Sequence, residues 1–348
     1  MNISSLKPYI PPLEGRTKSG QLLLDFNERT TPASPLVDAA LQEFVTTGAY
    51  RRYPSYSALY PLLAAYTGAR ESQLAITNGS DRGIELIIQT LVAPGEEIII
   101  PAPTFVLFEQ YATIREAKII QPLYERDLSF PLQGVLDAIS EKTKLIIVCN
   151  PNNPTGTLAS QEAIETLCIK AQEVGAFVLV DEAYGEFSGV TCSALLSRYK
   201  HLIITRTFSK AFGLAALRIG YLMANEQIIE VIKKVQSPYE VNMAAVIAAQ
   251  AALQDIAYMT DYCREVMQEA KPLTEDFFRS KEIAFYPSYG NFILFKPENP
   301  TLIFNKLRER GMLIRPRTGC RIEDTLRVSI GTVSNMNQFI YEYSTINN

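Results

Sequence analysis

The chain of 348 residues contains no tryptophan, a single histidine and only five cysteines, none of them in a C-x-x-C pair. His201 follows Lys200 and precedes an apolar run, which fits the start of a strand better than a catalytic pocket. Histidine-based triads and histidine-rich metal sites are therefore poor interpretations, and no metal is expected. The odd number and scattered positions of the cysteines argue against a disulfide framework and favour a reducing cytoplasm.

Long apolar runs and a large surplus of one charge are also missing. No stretch approaches the roughly 18 apolar residues of a membrane span, and residues 1–20 lack the apolar core of a signal peptide. The 33 Lys and Arg nearly balance the 37 Asp and Glu, which gives a net charge of −4. We therefore expect neither nucleic acid nor a membrane as partner, and a small molecule instead.

Short β-branched runs alternate with amphipathic helical patterns between about residues 70 and 225. These runs lie at 74–76, 98–100, 118–121, 145–149, 177–180 and 202–205. Several of them are apolar throughout, as strands buried on both faces require. The pattern predicts an α/β fold in which a mostly parallel sheet is flanked by helices.

The later part of the chain has a different pattern, with a long alanine-rich helical stretch at 243–278 and short strands at 283–285, 292–295 and 326–330. We expect three parts: an N-terminal arm (1–45) that joins the small domain, a large domain (46–240), and an interdomain helix with a small α+β domain (241–348). Pro8, Pro11 and Pro12 exclude a long helix in the arm, which would wrap onto the small domain or a partner subunit.

Hydroxyls and a lysine follow the strand pattern at 202–205. Thr207, Ser209 and Lys210 come within five residues of its end, and Arg218 follows. A lysine that forms a Schiff base needs a fixed position and a neutral amine near pH 7, which a partly desolvated cationic pocket favours. The hydroxyls and Arg218 supply donors for a phosphate. Taken alone, however, a Ser-Lys pair also fits an ordinary polar loop.

Two other strand ends carry polar groups. Gly79, Ser80 and Asp81 open the helical pattern after strand 74–76, where free N–H groups bind phosphate, although an ordinary N-cap has the same signature. Asp181 follows strand 177–180 at the edge where α/β proteins bind ligands. It suits a pyridinium nitrogen, but an aspartate there also caps helices or holds Mg²⁺. The chain has no Walker A lysine motif to support a nucleotide-metal site.

Two further segments can contribute to the same site. The segment 149–157 (CNPNNPTGT) is dense in turn formers, so it is either a structural loop or a source of side-chain amides for a ring hydroxyl. In the strand pattern 325–330, alternation puts Arg327 and Ser329 on the face opposite to the apolar residues. Arg327 could then bind a carboxylate bidentately, although an exposed strand arginine is the commoner case.

Taken in order, these segments resemble the fold-type I enzymes that depend on pyridoxal 5′-phosphate (PLP), and within them the histidinol-phosphate aminotransferases. The resemblance covers nearly the whole chain, and its most specific segments are 78–81, 103–105, 149–156, 181–187 and 207–220. It implies the PLP-dependent transferase fold of type I, with a mostly parallel, seven-stranded type of sheet and a smaller α+β domain. It also implies a homodimer with shared active sites.

The resemblance also implies residue roles. The catalytic residues would be Lys210, Asp181 and Tyr184. Lys210 would be the Schiff-base lysine and proton shuttle, Asp181 would pair with the ring nitrogen, and Tyr184, like Asn153, would bond the ring hydroxyl. The remaining cofactor contacts would come from Gly79, Ser80, Asp81, Phe105, Thr207, Ser209 and Arg218, and from Tyr53 of the neighbouring subunit. The substrate would meet Arg327, Arg315 and Asn153.

The implied reaction is transamination of L-histidinol phosphate with 2-oxoglutarate, which gives imidazole-acetol phosphate and L-glutamate. One departure concerns the segment 27–32, which reads NERTTP where the family usually has Asn-Glu-x-Pro-x-Gly followed by a tyrosine near the substrate. The proline and glycine expected at these motif positions, and the tyrosine, are missing, and Arg29 is either a further substrate contact or solvated. An aminotransferase for aromatic or other amino acids and a threonine-phosphate decarboxylase-like enzyme remain alternatives. A PLP-binding scaffold without turnover is an alternative from another class.

Overall fold

The computed structural model describes residues 10, 13, 16 and 20–346. The arm prolines Pro8, Pro11 and Pro12 lie outside the described residues. In chain order, the elements of the first two thirds are β1 (Leu22–Leu23), α1 (Pro35–Thr46), α2 (Leu59–Thr67), β2 (Leu74–Thr77), α3 (Gly79–Leu91), β3 (Glu97–Ile99), α4 (Val106–Ile114), β4 (Lys118–Ile120), α5 (Leu132–Ala138), β5 (Thr143–Cys149), α6 (Gln161–Val174), β6 (Phe177–Asp181), α7 (Gly185–Ser188), β7 (Leu202–Thr207), β8 (Gly220–Ala224) and α8 (Glu226–Val235).

The last third is mainly helical, with short strands between the helices. Its elements are α9 (Met243–Gln254), α10 (Ile256–Arg264), α11 (Lys271–Ser280), β9 (Ala284–Phe285), β10 (Phe292–Lys296), α12 (Pro300–Glu309), β11 (Met312–Leu313), β12 (Arg315–Arg317), β13 (Thr325–Ser329) and α13 (Val333–Ser344). Among the described residues, none of the helices combines the length and apolar character that a membrane crossing needs.

The large sheet has the strand order β2-β8-β7-β6-β5-β3-β4 in the described part of the chain. The strands from β7 to β4 run parallel, whereas β8 is antiparallel to both of its neighbours. Successive side chains of β6 fall into cores on opposite faces: Val178 and Val180 pack in one cluster and Leu179 in the other. Burial on both faces explains why this strand is apolar throughout. The predicted α/β fold with a mostly parallel sheet is confirmed.

A separate sheet of four strands has the order β12-β13-β10-β9. Its neighbouring strands are antiparallel, and helices α11 and α13 pack beside it through an aromatic cluster that includes Phe278, Phe295 and Phe339. The N-terminal segment joins this part of the molecule, because β1 pairs in parallel with β11. Segment 24–29 then passes between the two sheets, where it meets residues of both.

Two features differ from the sequence expectation. The helical stretch expected at 243–278 is divided, because Asp255 leaves the helical conformation between α9 and α10 and residues Glu265–Ala270 form a π-helical stretch before α11. Pro272, which cannot donate a backbone hydrogen bond, lies in the first turn of α11. Strand β8 was not predicted, although all five of its residues are buried.

Candidate active site

A cavity of about 230 Å³ lies at the carboxyl edge of the large sheet, between this edge and the four-stranded sheet. Strands β6 and β7 and helix α3 supply one wall, and β12 and β13 supply the opposite wall. The lining side chains include most of the predicted site residues: Ser80, Asp81, Phe105, Asn153, Asp181, Tyr184, Thr207, Ser209, Lys210, Arg218, Arg315 and Arg327. Sequence segments that are up to about 250 residues apart therefore meet at one place.

Lys210 extends into this cavity from the loop that follows β7. Its Nζ donates a hydrogen bond of 2.7 Å to the backbone carbonyl of Phe26. Burial lowers the pKa of Lys210 to about 8, and the nearby charge of Arg327 acts in the same direction. A substantial fraction of this amine is therefore neutral near pH 7 to 8, as a nucleophile or a base requires.

Asp181 ends strand β6 at the bottom of the cavity. Its side chain is buried, and among the described residues its Oδ1 has no hydrogen-bond partner. Burial raises the pKa of this carboxyl to about 7, because few groups nearby compensate the ionised form. An orphaned buried carboxylate oxygen of this kind fits a cationic ring nitrogen as its missing partner.

The donors at the other end of the same wall suit a phosphate. The first turn of α3 presents Ser80 there, Thr207 ends β7, and Ser209 follows in the next loop. Arg218 has a left-handed backbone (φ 55°), and its Nη2 donates to Asp81 Oδ2 at 2.9 Å. Gly79 has a left-handed backbone (φ 76°), and a Cβ there would lie 2.6 Å from this guanidinium, so glycine suits both the turn and the close approach. Helix N–H groups, hydroxyls and a guanidinium together form an anion site.

Tyr184 and Asn153 lie between the two walls. The Tyr184 side chain is buried, and its Oη accepts a hydrogen bond of 3.0 Å from Asn27 Nδ2. Asn153 Oδ1 accepts a hydrogen bond from Arg327 Nη1. Tyr184 and Asn153 therefore connect the wall formed by β6, β7 and α3 with Asn27 of the N-terminal segment and with Arg327 of β13.

The opposite wall carries what we call the arginine face, which consists of Arg315, Arg317 and Arg327. Arg315 pairs directly with Arg327 across β12 and β13, and all three side chains line the cavity. Burial lowers the pKa of Arg327 to about 9, and Arg317 and Arg315 add to this effect. Since like charges directly opposite each other destabilise a sheet, this arrangement favours a bound anion.

Among the predicted site residues, Gly79 lies beside Arg218 without lining the cavity, and Tyr53 and Arg29 lie away from it. Tyr53 is 79% exposed and stacks on Tyr239, with 4.5 Å between the ring centroids. The Arg29 guanidinium lies over the rings of Tyr262 and Tyr258, at 4.1 and 4.7 Å, and donates to the Ala211 carbonyl at 2.9 Å. The structure therefore gives Arg29 packing contacts with α10 in place of the expected substrate contact.

Sequence reasoning missed Phe26 and Arg317, which both line the cavity. Phe26 contributes a backbone carbonyl to Lys210, and no side-chain pattern signals such a contact. Arg317 had a usable signal, because residues two apart on a strand share a face and Arg315 was already assigned.

The residues present fit PLP. The cavity combines an amine of lowered pKa, a carboxylate oxygen without a partner, an anion site and the aromatic ring of Phe105. Five cationic and two acidic side chains are found among its described lining residues. This excess of positive charge can balance the negative charges of an anionic cofactor and of an anionic substrate.

Comparisons with known proteins agree with this chemistry. Residues 19–341 match the family model of aminotransferase class I and II. A histidinol-phosphate aminotransferase of Dehalococcoides mccartyi is 33% identical over 91% of this chain and 87% of its own length. Histidinol-phosphate aminotransferase 2 of Carboxydothermus hydrogenoformans is 33% identical over 99% of this chain and 98% of its own.

Solved structures show the same fold at lower identity. The histidinol-phosphate aminotransferase of Sinorhizobium meliloti, in complex with pyridoxal-5′-phosphate, superposes with a TM-score of 0.86 at 23% identity, over 99% of this chain and 96% of that chain. The chain described here therefore belongs to the class I and II aminotransferases and is a PLP-dependent enzyme of this family.

Proposed function

We propose that Lys210, Asp181 and Tyr184 are the catalytic residues of this aminotransferase. The observation that carries the proposal is that the Lys210 amine and the orphaned Asp181 oxygen share one buried cavity. When bound, PLP supplies an electron sink for the electron pair left at the substrate's Cα. Asp181 would keep the ring nitrogen protonated, Tyr184 and Asn153 would bond the ring hydroxyl, and Phe105 would stack on the ring.

Lys210 has two tasks in this proposal. Its amine would hold the cofactor, and when it is free its Nζ would move a proton from the substrate's Cα to the cofactor. A pKa lowered to about 8 suits both directions of this transfer, because a base works best when its pKa lies near the working pH.

The anion site at the start of α3 would hold the cofactor phosphate. Gly79 allows the close approach of Arg218, and Ser80, Thr207 and Ser209 supply hydroxyls, with the backbone at Asp81 completing the turn. This arrangement fixes the cofactor at a helix N-terminus and leaves the arginine face for the substrate.

We further propose L-histidinol phosphate as amino donor and 2-oxoglutarate as acceptor, with imidazole-acetol phosphate and L-glutamate as products. The relatives that match at 33% identity over most of the chain support this choice. Three arginines on one wall also suit a phosphate dianion better than a single carboxylate. Because histidinol phosphate has no α-carboxylate, Arg327 would bind its phosphate and the carboxylate of glutamate or 2-oxoglutarate in alternation.

An assay of the purified, PLP-loaded protein tests this function. Glutamate formed from L-histidinol phosphate and 2-oxoglutarate is expected, with a higher kcat/KM than for aromatic amino donors. Faster exchange with an aromatic donor would reassign the substrate, and CO₂ release from a phospho-amino acid without amine exchange would indicate a decarboxylase. Borohydride treatment should fix the cofactor on Lys210, and Lys210→Ala should abolish both the adduct and turnover.

A homodimer with shared active sites is also part of the proposal. Its support is the exposed, stacked pair of Tyr53 and Tyr239, since exposed aromatic side chains are typical of interface cores. Mixed dimers of Lys210→Ala and Tyr53→Ala subunits test it. If Tyr53 serves the neighbouring site, each mixed dimer contains one intact site and activity returns, whereas a mixture of Lys210→Ala with Lys210→Arg subunits stays inactive.

We place the protein in the cytoplasm in this proposal. All five of its cysteines are free, and four of them are buried, which suits a reducing compartment. Cell fractionation with an antibody against the protein would test this location.

A further inference from the structure

Asn27 occupies an unusual position between the two walls of the cavity. The residue is fully buried and has a left-handed backbone conformation (φ 56°), which asparagine tolerates better than most residues. Its backbone contacts Ser329 in the four-stranded sheet, and its side chain contacts Tyr184, which follows strand β6 of the large sheet.

The hydrogen bonds around Asn27 fix the orientation of its amide. The backbone N–H of Asn27 donates to Ser329 Oγ at 2.8 Å, so the Ser329 hydroxyl uses its own proton to donate to Asn27 Oδ1, at 3.0 Å. The amide oxygen therefore faces Ser329. The Nδ2 group must point the other way, toward Tyr184.

This orientation also fixes the role of the Tyr184 hydroxyl. An amide nitrogen can donate but cannot accept, so the 3.0 Å bond between Asn27 Nδ2 and Tyr184 Oη has only one possible direction. Tyr184 Oη is the acceptor in this bond. Its own proton is left for an acceptor inside the cavity, where Tyr184 is one of the lining residues.

We propose that Asn27 is a positioning residue that holds Tyr184 as a hydrogen-bond donor to the cofactor's ring oxygen. The inference rests on the proposed function, in which Tyr184 bonds this oxygen. Ser329 lies two residues from Arg327 on β13, and alternation along the strand puts both on one face, so the residue that orients the Asn27 amide shares a strand face with a member of the arginine face. Through Asn27, the position of the four-stranded sheet would determine how the Tyr184 hydroxyl is oriented toward the cofactor.

The test uses the isosteric variant Asn27→Asp in the PLP-loaded enzyme. A carboxylate can only accept, so Tyr184 would turn its proton toward residue 27 and away from the cofactor. The readout is the pH at which the visible absorbance of the bound cofactor changes as its link to Lys210 loses a proton. Because the ring oxygen loses a donor for its negative charge, this midpoint should rise by about one pH unit.

The same substitution made in the Tyr184→Phe variant separates an effect on the Tyr184 hydroxyl from a direct effect of the new charge on the cofactor. Tyr184→Phe alone should raise the midpoint, and adding Asn27→Asp to Tyr184→Phe should then change it no further. A shift from Asn27→Asp that persists without the Tyr184 hydroxyl would overturn the inference. A shift in Tyr184→Phe without any shift in Asn27→Asp would also overturn it, while leaving the proposed role of Tyr184 intact.

Two further variants guard against effects on folding. Ser329→Ala removes the donor that orients the amide and should move the midpoint in the same direction by a smaller amount. Asn291→Ala is the matched control, because Asn291 Nδ2 bonds only the backbone carbonyl of Asn27, at 3.2 Å. Its midpoint should equal that of the wild type. If Tyr184→Phe leaves the midpoint unchanged, both the proposed role of Tyr184 and the inference fail.

Discussion

The two walls of the cavity differ in how their charges are balanced. On the wall formed by β6, β7 and α3, Arg218 already has Asp81 at 2.9 Å, and the buried Asp181 is an acid that lacks a cation. On the arginine face, three cations lie together, and burial has already lowered the pKa of Arg327 to about 9. The first wall holds a buried acid with which the cationic ring of a cofactor would pair, whereas the second presents cationic side chains to an anion in the cavity.

This difference separates reaction type from substrate choice. Groups that would hold the cofactor and move the proton come from the ends of strands β6 and β7 and from the start of helix α3. Groups that would select the substrate come from the small sheet and from segment 24–29. A variant on the first wall should therefore affect every substrate alike, and a variant on the arginine face should affect substrates according to their charge.

The largest effect is expected at Lys210. Lys210→Arg keeps a cation but removes an amine that can be neutral near pH 8, so turnover should fall by at least about 10³-fold with every donor. Rapid-mixing measurements of single turnovers would record the loss. Substrate affinity, measured by calorimetry, should change little because the arginine face is intact. Loss with one donor alone would contradict the separation of the two walls.

The buried Asp181 carboxyl should make the stability of the apoprotein depend on pH. Its folded pKa, raised to about 7, lies above the unfolded value, so the protonated form stabilises the apoprotein below pH 4 and this contribution is lost as pH rises through 7. Asp181→Asn apoprotein should therefore exceed the wild type in unfolding free energy at pH 8 by a few kcal/mol, because each pH unit between the folded and the unfolded pKa corresponds to about 1.4 kcal/mol.

The measurement is urea unfolding of the two apoproteins between pH 5 and pH 8. The advantage of Asp181→Asn should grow with pH across this range. Adding PLP to both proteins supplies the control, because a protonated ring nitrogen would stabilise the Asp181 anion and the advantage should shrink or reverse. A constant difference at all pH values would mean that the carboxyl does not titrate as its burial requires.

The wall formed by β6, β7 and α3 was also the one predictable from sequence. Asp181, Ser80 and Lys210 each follow an apolar run of consistent length, and the carboxyl ends of parallel strands meet at one edge. Local sequence patterns therefore suffice to predict that these three residues lie close together. The role of each residue in the reaction is still a prediction, as are the boundaries 1–45, 46–240 and 241–348.

The arginine face was only partly predictable, for a physical reason. The alternation in β13 identified Arg327, but the pairing of Arg315 with Arg327 depends on an antiparallel register that no local pattern specifies. The contacts of Arg29 were not predictable from its own segment, because its partners Tyr258 and Tyr262 come from a helix more than 200 residues later. Contacts of this kind depend on how separate segments pack, not on any one segment.

Arg317 should discriminate between substrates by charge. Arg317→Gln should lower kcat/KM for a phosphorylated amino donor by about tenfold, since a charge-assisted bond to a phosphate is lost, and by less for glutamate. The two half-reactions can be followed separately by the absorbance of the bound cofactor. Arg321→Gln is the matched control, because this arginine is exposed in the loop that follows β12. An equal loss for both donors would assign Arg317 to folding or to the cofactor.

The smallest effect is expected at Arg29. Arg29→Gln removes the stacking on Tyr262 and Tyr258 and the bond to the Ala211 carbonyl, which should cost about 1 kcal/mol of stability. Because Arg29 does not line the cavity, Arg29→Gln should change the KM for a phosphorylated donor less than Arg317→Gln does. A thermal melt and a KM measurement on the same preparation check both statements. A KM effect as large as that of Arg317→Gln would instead make Arg29 a fourth member of the arginine face, and would require segment 24–29 to rearrange when substrate binds.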